Sequence, residues 1–161
     1  MSISYKDQKM IIKKDCKTWK ELGNIIVFAN GCFDLLHRGH IDLLTESKKL
    51  GDILIIGLNS DSSVKLLKGD SRPIQSEDER MNALLKTDLV SKVYIFSEET
   101  PIKLITLIKP DILVKGGDYL PEEVVGFREL KSWGGRIEIV PLTPNYSTTS
   151  KIEKMKRQGL V

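Results

Sequence analysis

The run Ile25-Ile26-Val27-Phe28-Ala29-Asn30-Gly31-Cys32-Phe33-Asp34-Leu35-Leu36-His37-Arg38-Gly39-His40 passes from an unbroken apolar stretch into a turn-forming Asn-Gly pair. It then enters a segment that holds both histidines of the 161-residue chain. Five apolar residues in succession, Ile25 to Ala29, predict a strand buried on both faces rather than one shared between core and water. From Gly39 to Leu50 the apolar Ile41, Leu43, Leu44 and Leu50 fall mainly on one helical face. Lys48 and Lys49 sit in the last turn and Gly51 closes it. Strand, loop and helix in that order make a first βα unit.

The same alternation continues outward. Ile53 to Leu58 predicts a second buried strand, followed by Asn59, Ser60, Asp61 and a short helical piece carrying Val64, Leu66 and Leu67. Residues 69–74 read as a loop, and Ser76 with Glu79 three residues on is a capping box opening the next helix. Val93 to Phe96 predicts strand three. Thr100-Pro101 opens a helix over Ile102 to Ile108, Pro110 stops it, and Ile112 to Val114 predicts strand four with Lys115 to Asp118 as its terminal loop. A helix over Pro121 to Trp133, ended by Gly134 and Gly135, a fifth strand over Ile137 to Val140 and a last basic helix over Ser150 to Arg157 complete the pattern. The expected fold class is α/β: a single Rossmann-like domain, a five-stranded parallel sheet with helices on both faces and ligands at the strands' C-terminal ends. Residues 1–24 are expected to be an N-terminal segment with a short helix, and residues 25–161 the functional domain.

Size and composition narrow the function classes. A chain of 161 residues has room for one core and no second catalytic domain. With 40% hydrophobic and 29% charged residues it is expected to be globular and soluble. Twenty-five Lys and Arg against 22 Asp and Glu, with no long block of like charge, point away from a nucleic-acid or membrane surface and toward small anions. No apolar run reaches the ~18 residues of a membrane helix, and Met1 to Lys17 lacks the apolar stretch of an export signal. The cytoplasm is therefore the expected compartment, with Cys16 and Cys32 as thiols.

The chemistry concentrates after the first strand. No stretch matches G-x-G-x-x-G or G-x-x-x-x-G-K-[ST], so a dehydrogenase and a P-loop kinase are poor fits. His37 and His40 instead flank Gly39 at a helix start, where free backbone N–H groups and the positive dipole end favour an anion. Two imidazole donors there could hold a triphosphate; ordinary surface or packing histidines are the alternative. Cys32, His37 and His40 could also supply three metal ligands, but no further Cys or His is placed to close a structural zinc site. Arginine is informative because it is scarce, six against 19 lysines. Arg72, in a Gly/Pro-bounded loop near Lys68, could clamp a phosphate with its fork of donors.

The His37-Arg38-Gly39-His40 segment resembles the H-x-G-H motif of the nucleotidyltransferase superfamily. The likeness extends over Ile25 to Met155, through Leu50-Gly51-Asp52, Asn59-Ser60-Asp61, Leu67-Lys68-Gly69-Asp70-Ser71-Arg72-Pro73, Lys109-Pro110-Asp111, Lys115-Gly116-Gly117-Asp118-Tyr119 and Ser147-Thr148-Thr149. In these stretches the chain is similar to the D-glycero-D-manno-heptose 1-phosphate adenylyltransferases, in their stand-alone form. The resemblance implies transfer of AMP from ATP to the sugar 1-phosphate, giving ADP-heptose and pyrophosphate, with Mg²⁺ bound through the ATP phosphates and no dedicated metal site.

It also implies roles. His37, His40, Lys68 and Arg72 would be catalytic. Gly31, Cys32, Phe33, Gly39, Lys115, Gly116, Gly117, Asp118, Ser147, Thr148 and Thr149 would hold the nucleotide. Asp34, Asn59, Asp61, Lys65 and Arg80 would bind the sugar phosphate. The expected partners are ATP, a sugar 1-phosphate and a second copy of the chain, with no nucleic acid and no membrane. One departure is visible: cytidylyltransferases carry Arg and Gly just before Ser-Thr-Thr, and here the run is Leu142-Thr143-Pro144-Asn145-Tyr146. A cytidylyltransferase acting on glycerol 3-phosphate or ethanolamine phosphate and a non-catalytic nucleotide-binding protein are the alternatives.

Overall fold

The structure is a computed structural model that describes residues 5–144 and 148–159. Five strands, β1 (Ile26–Gly31), β2 (Ile53–Asn59), β3 (Lys92–Phe96), β4 (Ile112–Gly116) and β5 (Arg136–Val140), form one all-parallel sheet in the order β3-β2-β1-β4-β5. Among the described residues seven α-helices accompany them: α1 (Tyr5–Glu21), α2 (Arg38–Lys48), α3 (Asp61–Lys68), α4 (Glu77–Lys86), α5 (Ile102–Ile108), α6 (Phe127–Ser132) and α7 (Thr148–Arg157). This is the Rossmann-like α/β architecture expected from the alternating pattern.

The two-residue period of each strand sorts its side chains into two cores. Ile26 and Phe28 of β1 join Ile55, Leu113, Ile105 and Ile108 on one face, while Val27 and Ala29 join Leu54, Ile56, Leu44 and Leu84 on the other. Because both faces are covered, the strands read as continuous apolar runs.

The order of the strands reverses at β1, whose neighbours are β2 and β4. β1 pairs with β2 along its whole length, from Ile26↔Ile53 to Gly31↔Leu58, and β4 pairs with β5 from Ile112↔Arg136 to Gly116↔Val140. Between β1 and β4 the register holds only at Val27↔Ile112 and Phe28↔Leu113. Beyond it the two strands are not paired, and the crevice at such a switch point is where ligands of these sheets bind.

Several elements differ from the sequence reading, β1 among them, since Asn30 and Gly31, read as a turn, pair with Gly57 and Leu58 of β2. The N-terminal helix is long, not short: α1 spans 17 residues. It packs Ile12 and Cys16 into the first core, and Tyr94 donates its hydroxyl hydrogen to Asp15. β4 continues through Lys115 and Gly116 because both pair with β5. The helix expected over Pro121 to Trp133 is divided into a 3₁₀ turn at Pro121–Glu123 and α6, since Gly126 takes φ +98, a left-handed geometry that ends the helical path between them.

Candidate active site

The loop between β1 and α2 is shaped by two non-glycine residues in left-handed geometry, Phe33 (φ +47) and Leu35 (φ +54), both with buried side chains. That path brings the chain to the start of α2, where His37 is the N-cap. The His40 backbone N–H donates to His37 Nδ1 at 3.4 Å, and the His37 N–H donates to His40 Nδ1 at 3.3 Å. This is a capping box built from two imidazoles instead of a hydroxyl and a carboxylate. The rings stack with centroids 3.8 Å apart, and Phe33 lies against His40 at 5.3 Å.

Reciprocal capping fixes the protonation of both rings. A nitrogen that accepts a hydrogen bond carries no proton, so each neutral imidazole bears its hydrogen on Nε2. The electrostatics agree. Burial, then the neighbouring His37, Lys68 and Lys151, push the His40 pKa down to about 3; burial and Lys151 lower that of His37. Near neutral pH the start of α2 thus offers two Nε2–H donors beside its own free N–H groups, with lysine charge nearby, which suits a phosphate.

Lys68, at the exposed end of α3, is close enough for its charge to act on both His40 and Cys32. The Cys32 thiol is pushed up by burial and stays protonated, so it offers no nucleophile, and its carbonyl serves the frame instead. Gly31 lies against the Phe33 ring, where an added Cβ would sit 3.1 Å from it. Gly39 is half-buried in the first turn of α2. On the far side of the crevice Lys115 lies over the Tyr119 ring at 5.0 Å, Gly116 faces Leu43, and the Gly117 N–H is taken by the Val140 carbonyl at 2.9 Å. Asp118 is exposed. Ser147 lies outside the described residues, and Thr148 and Thr149 begin α7.

Five residues read as substrate contacts or phosphate clamps, Arg80, Asp34, Asn59, Asp61 and Arg72, have partners within the protein. Arg80 has no exposure at all. Its guanidinium donates to the carbonyls of Cys32 (2.9 Å), Asn59 (2.7 Å) and Gln75 (3.1 Å) and to the Asp61 carboxylate (2.8 Å). Asp34, also fully buried, accepts from the Ile74 and Gln75 backbone N–H groups and from Arg72 Nε at 3.2 Å, so it anchors a loop rather than facing sugar hydroxyls. Asn59 is buried and donates to Ser63. Arg72 is held by Asp34 through Nε, while its buried Nη2 has no partner. Lys65 is exposed on α3.

Lys151 is the residue the sequence reading missed. It donates from Nζ to the Leu36 carbonyl at 2.6 Å, beside His37. Among the described residues no three His, Cys, Asp or Glu side chains converge as a metal cage, Cys32 with the two histidines included. No helix there is long and apolar enough to cross a membrane. A cleft of about 330 Å³ lined by Gln8, Ser60, Glu77 and Lys103 contains none of the expected site residues.

Comparison with known proteins places this arrangement. Residues 28–154 match the cytidylyltransferase-like family. The chain is 53% identical over 133 residues to the bifunctional protein HldE of Trichlorobacter lovleyi, a match covering 83% of this chain and 27% of that protein. It is 51% identical over 138 residues to HldE of Geobacter metallireducens, covering 86% and 28%. The matched segment thus spans about a quarter of the length of these curated relatives. The crystal structure of the lipopolysaccharide core biosynthesis protein from Thermoplasma volcanium superposes with a TM-score of 0.62 at 32% identity, covering 78% of this chain and all of that one.

Two outcomes follow from the geometry. Arg80→Met leaves three carbonyls and a carboxylate without their donor. We expect a loss of about 3–5 kcal/mol in denaturant unfolding, not restored by Arg80→Lys, whose ammonium cannot span the four acceptors; a loss below about 1 kcal/mol contradicts the brace. For His40 the folded pKa of about 3 lies below the ordinary 6.5, so the unfolded chain binds a proton that the folded one refuses. Its contribution is complete above pH 6.5 and is lost as pH falls toward 3. Imidazole ¹⁵N NMR at pH 5 should show His40 neutral with its proton on Nε2, and a ring half-titrated near 6.5 contradicts the assignment.

Proposed function

The chain belongs to the cytidylyltransferase-like family and is a nucleotidyltransferase; from that premise we propose that it transfers AMP from ATP to D-glycero-D-manno-heptose 1-phosphate, releasing pyrophosphate. The observation that carries the reading is the pair of mutually capped imidazoles at the start of α2, in the crevice where β1 and β4 part. The motif stretches shared with heptose 1-phosphate adenylyltransferases support the choice of sugar. So do the names of the relatives, a bifunctional HldE protein and a lipopolysaccharide core biosynthesis protein.

Both reactants arrive as phosphate anions, so no side chain has to create a nucleophile. A sugar-phosphate oxygen attacks the α-phosphorus in line, the bond to the bridging oxygen breaks, and pyrophosphate leaves with the electron pair. The two Nε2–H groups donate to the phosphate oxygens on which charge builds, and Lys68 adds positive potential. Mg²⁺ bound through the ATP phosphates would neutralise their charge, with no dedicated protein ligands called for. The proposal includes action in the cytoplasm on small molecules, without nucleic acid or membrane. It also includes a homodimer, for which Leu66 and Leu67, exposed on α3, supply apolar surface to cover.

The test is pyrophosphate release with Mg²⁺, heptose 1-phosphate and either ATP or CTP. We expect kcat/KM for ATP at least about tenfold above CTP, and a fall in kcat of about 10²-fold or more for His40→Ala, the order for removing one transition-state donor. Preference for CTP would favour cytidylyl transfer to glycerol 3-phosphate or ethanolamine phosphate. Binding of ATP without pyrophosphate release would indicate a non-catalytic nucleotide-binding protein.

A further inference from the structure

Of the guanidinium groups expected to meet phosphate, Arg80 is fully engaged by three carbonyls and Asp61, while Arg72 is held by Asp34 through Nε alone. A site for a nucleoside triphosphate still needs cationic donors near the imidazoles. We propose that Lys151 is a phosphate-binding residue of the nucleotide site, gripping the terminal phosphates of ATP and the pyrophosphate product; the inference rests on the reading of the chain as a nucleotidyltransferase.

Lys151 lies in the first turn of α7, and its half-buried ammonium is fixed by a 2.6 Å bond to the Leu36 carbonyl, one residue before His37. An ammonium carries three donors, so two N–H groups remain to meet an anion beside the imidazoles. The lowering of both histidine pKa values by Lys151 is consistent with that placement. The sequence has no arginine between Arg136 and Arg157 to do the same work on this side. Docking of the chain after β5 onto α2 has a second tie, Thr143 donating to Asp42 at 2.8 Å, so the lysine is not the sole clasp. A residue whose only task was to hold α7 would not need a formal charge on a half-buried carbonyl next to two phosphate donors.

The experiment is calorimetric titration of the full chain and of Lys151→Met and Lys151→Arg with three probes: ATP, inorganic tripolyphosphate and adenosine. Loss of a charge-assisted phosphate contact should weaken ATP and tripolyphosphate about tenfold in Lys151→Met, leave adenosine unchanged, and be recovered to within about threefold by Lys151→Arg. Unaltered tripolyphosphate affinity in Lys151→Met overturns the assignment, as does an equal loss for adenosine, which marks a purely structural clasp. Wild-type chain that binds neither ATP nor tripolyphosphate overturns the nucleotide reading and this inference with it. Wild-type binding with an unaffected variant overturns the inference alone.

Discussion

The Arg80 guanidinium, sealed from solvent, holds the ends of the first two strands in place. Its acceptors come from the β1–α2 loop (Cys32), the end of β2 (Asn59), the start of α3 (Asp61) and the approach to α4 (Gln75). A buried charge is tolerated only when its donors are all but matched, so these segments must assemble together or not at all. Asp34 and Arg72 form a second buried pair that pins the same loop to residues 72–75. Between them the two arginines hold the Cys32–His37 turn through its left-handed Phe33 and Leu35, and so set where His37 begins α2.

Arg80 is committed wholly to the frame, and Arg72 gives it only Nε. Around the start of α2 stand a pair of neutral imidazoles and the charges of Lys68 and Lys151, and the nearby Cys32 thiol is pushed up, not down. Such a set can bind and orient phosphates and stabilise charge as it moves onto a leaving pyrophosphate. With each Nδ1 accepting a backbone N–H and each Nε2 carrying the proton, neither imidazole presents a free lone pair to phosphorus, and for two phosphate reactants no covalent intermediate is required.

Much of the fold was legible because its signals are local. Apolar runs marked the five strands, and the Ser76–Glu79 spacing marked the start of α4, where the Ser76 hydroxyl does accept from the Glu79 N–H. The His37–His40 spacing is the same i, i+3 pattern with imidazoles in place of the usual pair, so the placing of both at the start of α2 was visible although their reciprocal hydrogen bonding was not. What could not be read was non-local. Polar residues at strand ends look alike in sequence whether they face a ligand or a buried partner. Arg80 meets Cys32 across 48 positions, Asp34 meets Arg72 across 38, and Lys151 meets Leu36 across 115. The division of the helix expected over Pro121 to Trp133 depended on one backbone angle at Gly126, which composition does not specify.

The central claim is that this site transfers a nucleotidyl group by positioning alone, in a single in-line displacement. The most direct measurement is the stereochemical course at phosphorus, followed with ATP made chiral by sulfur at the α-phosphate and read from the configuration of the sugar nucleotide formed. One displacement inverts that configuration, and inversion is the result predicted here. Retention requires two displacements through a covalent intermediate on the protein, and would contradict the account.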